Sequence, residues 1–118
     1  PEQWARAVVK AADRWQADRV IAEVNQGGDM VRAVIGDADK AVPVIEVRAH
    51  KGKWLRAEPV AALYEQGKVH HVGSWSGLED QLCGWTPGHE SPDRMDALVW
   101  GITELMLERA PEPGIRRL

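Results

Sequence analysis

Arg19-Val20-Ile21-Ala22-Glu23-Val24, broken at once by Asn25-Gln26-Gly27-Gly28, decides the fold class. A short apolar run rich in β-branched residues and bounded by a turn has the pattern of a strand covered on both faces. The Gly-Gly pair then ends it. Upstream, Glu2 to Gln16 carries Trp4, Val8, Ala11, Ala12 and Trp15 at spacings of three and four. That is the apolar stripe of an amphipathic helix. Downstream, Met30, Val31, Val34 and Ile35 predict a second helix opening at Asp29 and ended by Gly36-Asp37. Pro43 to Val47 repeats the apolar strand pattern. Helix and strand in alternation argue an α/β architecture with largely parallel strands flanked by helices.

The second half continues the alternation. His50-Lys51-Gly52-Lys53-Trp54-Leu55-Arg56 is a compact basic segment leading into a helix over Glu58 to Gln66. Pro59 falls in the first turn of that helix and Gly67 just past its end. Lys68 to Val72 reads as a third strand, Ser76 to Leu82 as a short helix, and Gly84 to Glu90 as a loop. Ser91 as cap and Pro92 at the first position open a last helix. Its stripe is Met95, Leu98, Val99, Ile102, Leu105 and Met106. The organisation expected is one domain over 1–110 and a flexible basic tail over 111–118. Three strands make a small sheet for this class, so the chain is expected to hold part of one.

Composition narrows the function. The 118 residues carry 15 Lys+Arg against 18 Asp+Glu, a net charge of -3. A protein gripping duplex DNA through several phosphates usually shows a basic surface. Contact with DNA would therefore need a local basic cluster or metal ions. No apolar run approaches the roughly 20 residues that cross a bilayer. The lone Cys83 excludes an internal disulfide framework and a Cys-rich zinc site, and beside Leu82 it reads as a buried thiol. A reducing, cytoplasmic setting is expected. Pro1-Glu2-Gln3-Trp4 lacks the regions of a signal peptide, and a start at Pro1 fits an excised or processed piece.

Three acids stand out by position. Glu23 lies near the C-terminal end of the first strand, where ligand sites of open α/β sheets gather. Asp93 and Asp96, three apart at the start of the last helix, are neighbours on its surface. Three converging carboxylates repel one another unless protons or hard cations enter, and their oxygens suit Mg²⁺ or Mn²⁺. Two such ions would bind the attacking water and the leaving oxygen of a phosphodiester. The plainer reading stays open: acids in a first turn are favoured by the helix dipole without any function.

Other segments admit two readings each. Asn25 to Gly28 is a phosphate cradle or a plain strand-to-helix turn. Lys51, Lys53 and Arg56 hold a DNA backbone beside a stacking Trp54, or form a solvated loop over a core tryptophan. His70 and His71 alternate faces in a strand and so do not chelate one ion together. His89, in the loop just before the acids, is the better-placed imidazole or an ordinary surface residue.

Taken in order, several segments resemble the large terminase subunits of tailed bacteriophages. They are Glu2-Gln3-Trp4-Ala5, Ile21 to Val31, Lys51-Gly52-Lys53-Trp54-Leu55-Arg56-Ala57-Glu58-Pro59-Val60, and Tyr64 to His71. Leu78-Glu79-Asp80-Gln81-Leu82 and Ser91-Pro92-Asp93-Arg94-Met95-Asp96-Ala97-Leu98-Val99-Trp100 complete the series. The resemblance implies a C-terminal nuclease domain with a ribonuclease H-like fold, which cuts concatemeric phage DNA during packaging with an acid cluster and two divalent metals. Carried over, Glu23 matches the family's second catalytic acid. Asp93 and Asp96 match the acidic pair of the last helix, one or both of which bind metal, and Lys51 to Arg56 becomes a contact for DNA.

The resemblance implies that the family's first catalytic aspartate lies on a strand meander expected to precede Pro1. The expectation is thus a partial domain, with weak cleavage or none as it stands and an exposed edge on the Glu23 strand. That edge is expected either to pair in a homodimer or to be covered. The implied partners are double-stranded DNA, the portal and the small terminase subunit, in the host cytoplasm. The alternative is a non-catalytic interaction module of a packaging complex, with the acids serving as helix caps. A third reading is a small nucleotide-binding domain using Asn25 to Gly28.

Overall fold

The structure is a computed structural model and describes residues 2–24, 29–50, 52–86, 89 and 92–108. The α/β expectation holds: among the described residues there are five α-helices and one small parallel sheet. These residues form two compact units that divide at position 50.

In the first unit, α1 spans Glu2–Arg14, β1 Val20–Glu23, α2 Asp29–Ala38 and β2 Val44–Val47. The strands are parallel, with Val20 opposite Val44 and Glu23 opposite Val47. The ladder is extended at both ends by Val20 N–H donating to the Pro43 carbonyl (2.8 Å) and Val24 N–H to the Val47 carbonyl (2.9 Å). A parallel pair needs a crossover, which α2 supplies. The buried side chains of this unit are Ala5, Val24, Ile35 and Ile45.

Two sequence expectations change here. The stripe of α1 runs through Ala5, Val8, Val9 and Ala12, while Trp4 and Trp15 are 42% and 68% exposed. Trp15 lies beyond the last helical residue, where the chain turns through Gln16 at φ 51° and the Arg14 guanidinium covers the ring at 5.2 Å. The second helix runs past Gly36 to Ala38. It stops at Asp39, whose carboxylate accepts from the Ala41 N–H at 2.8 Å and so forms a local turn.

In the second unit, α3 spans Lys53–Glu65, α4 Ser76–Gly84 and α5 Asp93–Ile102, which continues as a wider π turn over Thr103–Leu107. Val60 of α3 and Met95 and Val99 of α5 form the buried centre, with Ala57, Tyr64, Leu82, Trp85 and Ile102 packed against it. Helix α3 starts five residues earlier than the pattern predicted (Lys53 against Glu58), so Pro59 sits inside it. A proline there costs only the bond its missing N–H would have made to the Leu55 carbonyl and a local clash. Leu55 is 56% exposed, which leaves that carbonyl's end of the helix open to water. Pro92 is the N-cap of α5 rather than its first helical residue. The π turn, closed by Glu108 N–H on the Thr103 carbonyl (2.7 Å), rotates the helix out of phase. Leu105 and Met106 accordingly leave the expected stripe and are 74% and 44% exposed.

The third strand does not form. Residues 68–72 are irregular and belong to no ladder among the described residues. Gly67 at φ 70° closes α3 in a Schellman motif, with Lys68 N–H on the Leu63 carbonyl and Gly67 N–H on the Tyr64 carbonyl, both 3.0 Å. Gly73 at φ 91° turns the chain again six residues on. Between them His71 folds back onto α3, its Nε2 2.7 Å from the Tyr64 hydroxyl, and its Nδ1 lies 3.9 Å from Glu79 of α4. A side-chain bridge thus replaces strand pairing. Cys83, expected buried, is exposed. The tail over 111–118 and the Ser91 cap lie outside the described residues.

Two outcomes are expected. Gly36 is a helix-interior glycine with open space where a Cβ would stand. Gly36→Ala should therefore raise stability by about 0.5–1 kcal/mol in urea melts. Burial pushes the Tyr64 phenol above its ordinary 10.0. The neutral phenol is the form the fold prefers, so this contribution is intact below pH 10.0 and lost as pH rises through the raised value. Spectrophotometric titration of the chain's single tyrosine, with melts at matched pH, should show late ionisation and a parallel fall in stability.

Candidate metal and nucleic-acid site

Each candidate acid stands where its element ends or begins. Glu23 is the last residue of β1 and is exposed. Asp93 and Asp96 are both in the first turn of α5, Asp93 exposed and Asp96 half-buried with 20% of its side chain accessible. Their backbone is fixed without a local cap, because Pro92 offers no side-chain acceptor. Gln81 of α4 supplies one instead: its Oε1 accepts from the Met95 N–H at 3.1 Å. The Pro92 carbonyl takes the Asp96 N–H at 3.0 Å. One orphan donor of the α5 start is thereby satisfied from a neighbouring helix.

The early start of α3 changes the meaning of the basic segment. Lys53 and Arg56 are not loop residues but occupy the first turn of α3, where the positive end of the helix disfavours cations. Both turn to Asp96. Lys53 Nζ is 3.4 Å from one carboxylate oxygen and Arg56 Nη2 is 4.0 Å from the other. The Arg56 side chain is 9% exposed and its guanidinium lies 4.9 Å from the centre of the Trp100 ring, one helical turn beyond Asp96. Trp54 leans on Trp85 at 5.7 Å and 32°, and Trp85 donates its indole N–H to the His89 carbonyl at 3.1 Å. Lys51 and the Asn25 to Gly28 segment lie outside the described residues.

Sequence reading missed Gln81 and Trp100. Trp100 was within reach, since it follows Asp96 by four and so shares its face. Gln81 gave no signal, because its role exists only through packing. Another acid, Glu46 of β2, is 3.0 Å from Arg32 of α2. An open cleft of about 340 Å³, lined by Val9, Gln16, Arg19, Asp39 and Pro43 among others, lies beside Val20, the first residue of β1, whereas Glu23 is the last.

The donor chemistry of the acids fits a hard divalent cation: carboxylate oxygens, accessible at Glu23 and Asp93 and partly so at Asp96. Among the described residues, no group of three or more His, Cys, Asp or Glu side chains is gathered closely enough to hold one. Asp96 already carries two cationic neighbours.

The profile of a family described as "Terminase RNaseH-like domain" matches residues 1–105. No curated protein and no solved structure matches the chain. A small parallel sheet with helices fits part of a ribonuclease H-like domain, and such a terminase domain has a nuclease role in phage DNA packaging. With its match over nearly the whole length, the chain belongs to the terminase ribonuclease H-like domain family.

Proposed function

We propose that this chain contributes to a metal-dependent endonuclease that cuts concatemeric phage DNA during genome packaging. Glu23, Asp93 and Asp96 supply its carboxylates, and Lys51, Lys53 and Arg56 meet the DNA backbone. The observation that carries the reading is the family match over residues 1–105, within which a strand ends on Glu23 and the last helix opens on Asp93 and Asp96. Two Mg²⁺ or Mn²⁺ ions, when bound, would supply Lewis-acid activation of water and neutralise charge on the leaving oxygen. The protein's part is to place carboxylates at a strand end and a helix start and to offer cations to phosphate. The Gln81 bond to the α5 start serves the first task. Lys53, with 43% of its side chain exposed, serves the second.

The partners that go with this function are double-stranded DNA, the portal and the small terminase subunit, in the host cytoplasm. A homodimer through the edge of the two-stranded sheet belongs to the same proposal. A second reading, a non-catalytic packaging module, draws on the Lys53–Asp96–Arg56 group, because ion pairing alone gives Asp96 a structural task.

Cleavage of supercoiled plasmid in Mn²⁺ by the full-length protein separates the two. Glu23→Ala and Asp96→Asn should each slow cutting by about 100-fold or more, the upper end of what loss of a metal ligand's supporting partner costs. Circular dichroism should be unchanged for Glu23→Ala, which removes an exposed side chain. Cutting at an unaltered rate by both variants would exclude the carboxylate mechanism. Gln81→Ala tests the support: a stability loss of about 1 kcal/mol is expected from the uncapped N–H.

A further inference from the structure

The outer face of α1 carries charge of one sign. Arg6, Lys10 and Arg14 follow one another at steps of four, all exposed, opposite the stripe of Ala5, Val8, Val9 and Ala12. By the helical repeat the two acids of the helix, Glu2 and Asp13, fall together on one flank of this face, and Trp4 and Trp15 on the other. A solvated helix gains from opposite charges one turn apart, and like charges there weaken it. Glu2 relieves Arg6 at 3.3 Å, but both side chains are more than two-thirds exposed, so water and salt screen the pair. Arg14 suits the last turn and covers the Trp15 ring at 5.2 Å. Lys10, in the middle of the helix, gains nothing from the dipole and has no carboxylate partner among the described residues. Trp4 and Trp15 are 42% and 68% exposed, and an indole N–H donates but does not accept. That flank thus adds donors and no negative atom.

We propose that this face of α1 is a docking surface for the sugar–phosphate backbone of duplex DNA. It belongs to the first unit, whereas Lys51 to Arg56 belong to the second. Two steps of four residues advance about 12 Å along the helix axis. Duplex DNA presents one phosphate charge per roughly 1.7 Å of its length, about seven over that span, enough to meet each cation. A net charge of -3 confines phosphate contact to local stripes of this kind. The contact needs no metal ion and stands apart from the carboxylate mechanism.

The test is binding of the 118-residue chain to a short labelled duplex in EDTA, which removes cutting from the readout, followed by fluorescence anisotropy. Three phosphate contacts on α1 contribute about -2.7 to the salt slope, a loss of about 40-fold between roughly 50 and 200 mM salt. The double variant Arg6→Gln, Lys10→Gln keeps good helix formers and should leave circular dichroism unchanged. It should reduce the slope by about 1.8 and weaken binding about 10-fold at low salt. Lys10→Arg, which keeps the cation, should bind like the parent. An unaltered slope in the double variant overturns the α1 surface, and if Lys53→Gln lowers the slope in the same assay, the contact proposed there still stands. Displacement of the duplex by poly-glutamate as effectively as by unlabelled duplex of equal charge overturns DNA as the occupant, in favour of an acidic protein. Absence of duplex binding at low salt overturns the surface outright.

Discussion

The Asp96 carboxylate joins the first turns of two helices of the second unit. Helix α3 begins with Lys53 and Arg56, cations at the end of a helix that already carries partial positive charge. Each such placement costs about 0.3–1 kcal/mol. Helix α5 begins with Asp93 and Asp96, which its own dipole favours. Pairing Asp96 with both cations offsets the unfavourable start of α3 with the favourable start of α5. An exposed pair contributes about 0–1 kcal/mol, whereas an ion pair cut off from water is costly to break because it strands a charge. Lys53 is of the first kind and Arg56 approaches the second.

Apolar packing sets the frame in which this carboxylate works. Val60, Met95 and Val99 exclude water between α3 and α5, and Leu82 and Trp85 close the side towards α4. The ion pairs by themselves are too weak to align two helices. Once burial has aligned them, the charged turns fall into register and Gln81 reaches the Met95 N–H. The stacking of Arg56 on Trp100 adds about 0.5–2 kcal/mol, the more so where water is excluded. The same arrangement that steadies the fold leaves one cation, Lys53, at the surface.

The elements of the first unit were legible in the sequence because local pattern and final environment agree. Val20 to Glu23 and Val44 to Val47 are short β-branched runs, and they became the two parallel strands. Lys68 to Val72 misled for the opposite reason. Its valines suit a strand, yet Gly67 and Gly73 at positive φ and the Tyr64–His71 bond hold it as a loop. The Trp15 and Leu105 positions misled in another way. Periodicity assumes an uninterrupted helix, and a turn at Gln16 and a π turn from Thr103 break the phase.

The sequence by itself determined the α/β class, the strand ending on Glu23, the helix opening on Asp93 and Asp96, and the resemblance that led to the family. These depend on local spacing and on residue types that chemistry leaves few substitutes for. Only the tertiary structure decided that Lys53 and Arg56 belong to a helix start, that both face Asp96, and that Gln81 caps α5 from another helix. Partners far apart in the chain carry no periodic signature, since their meeting follows from which apolar faces bury against each other and not from any spacing along the chain.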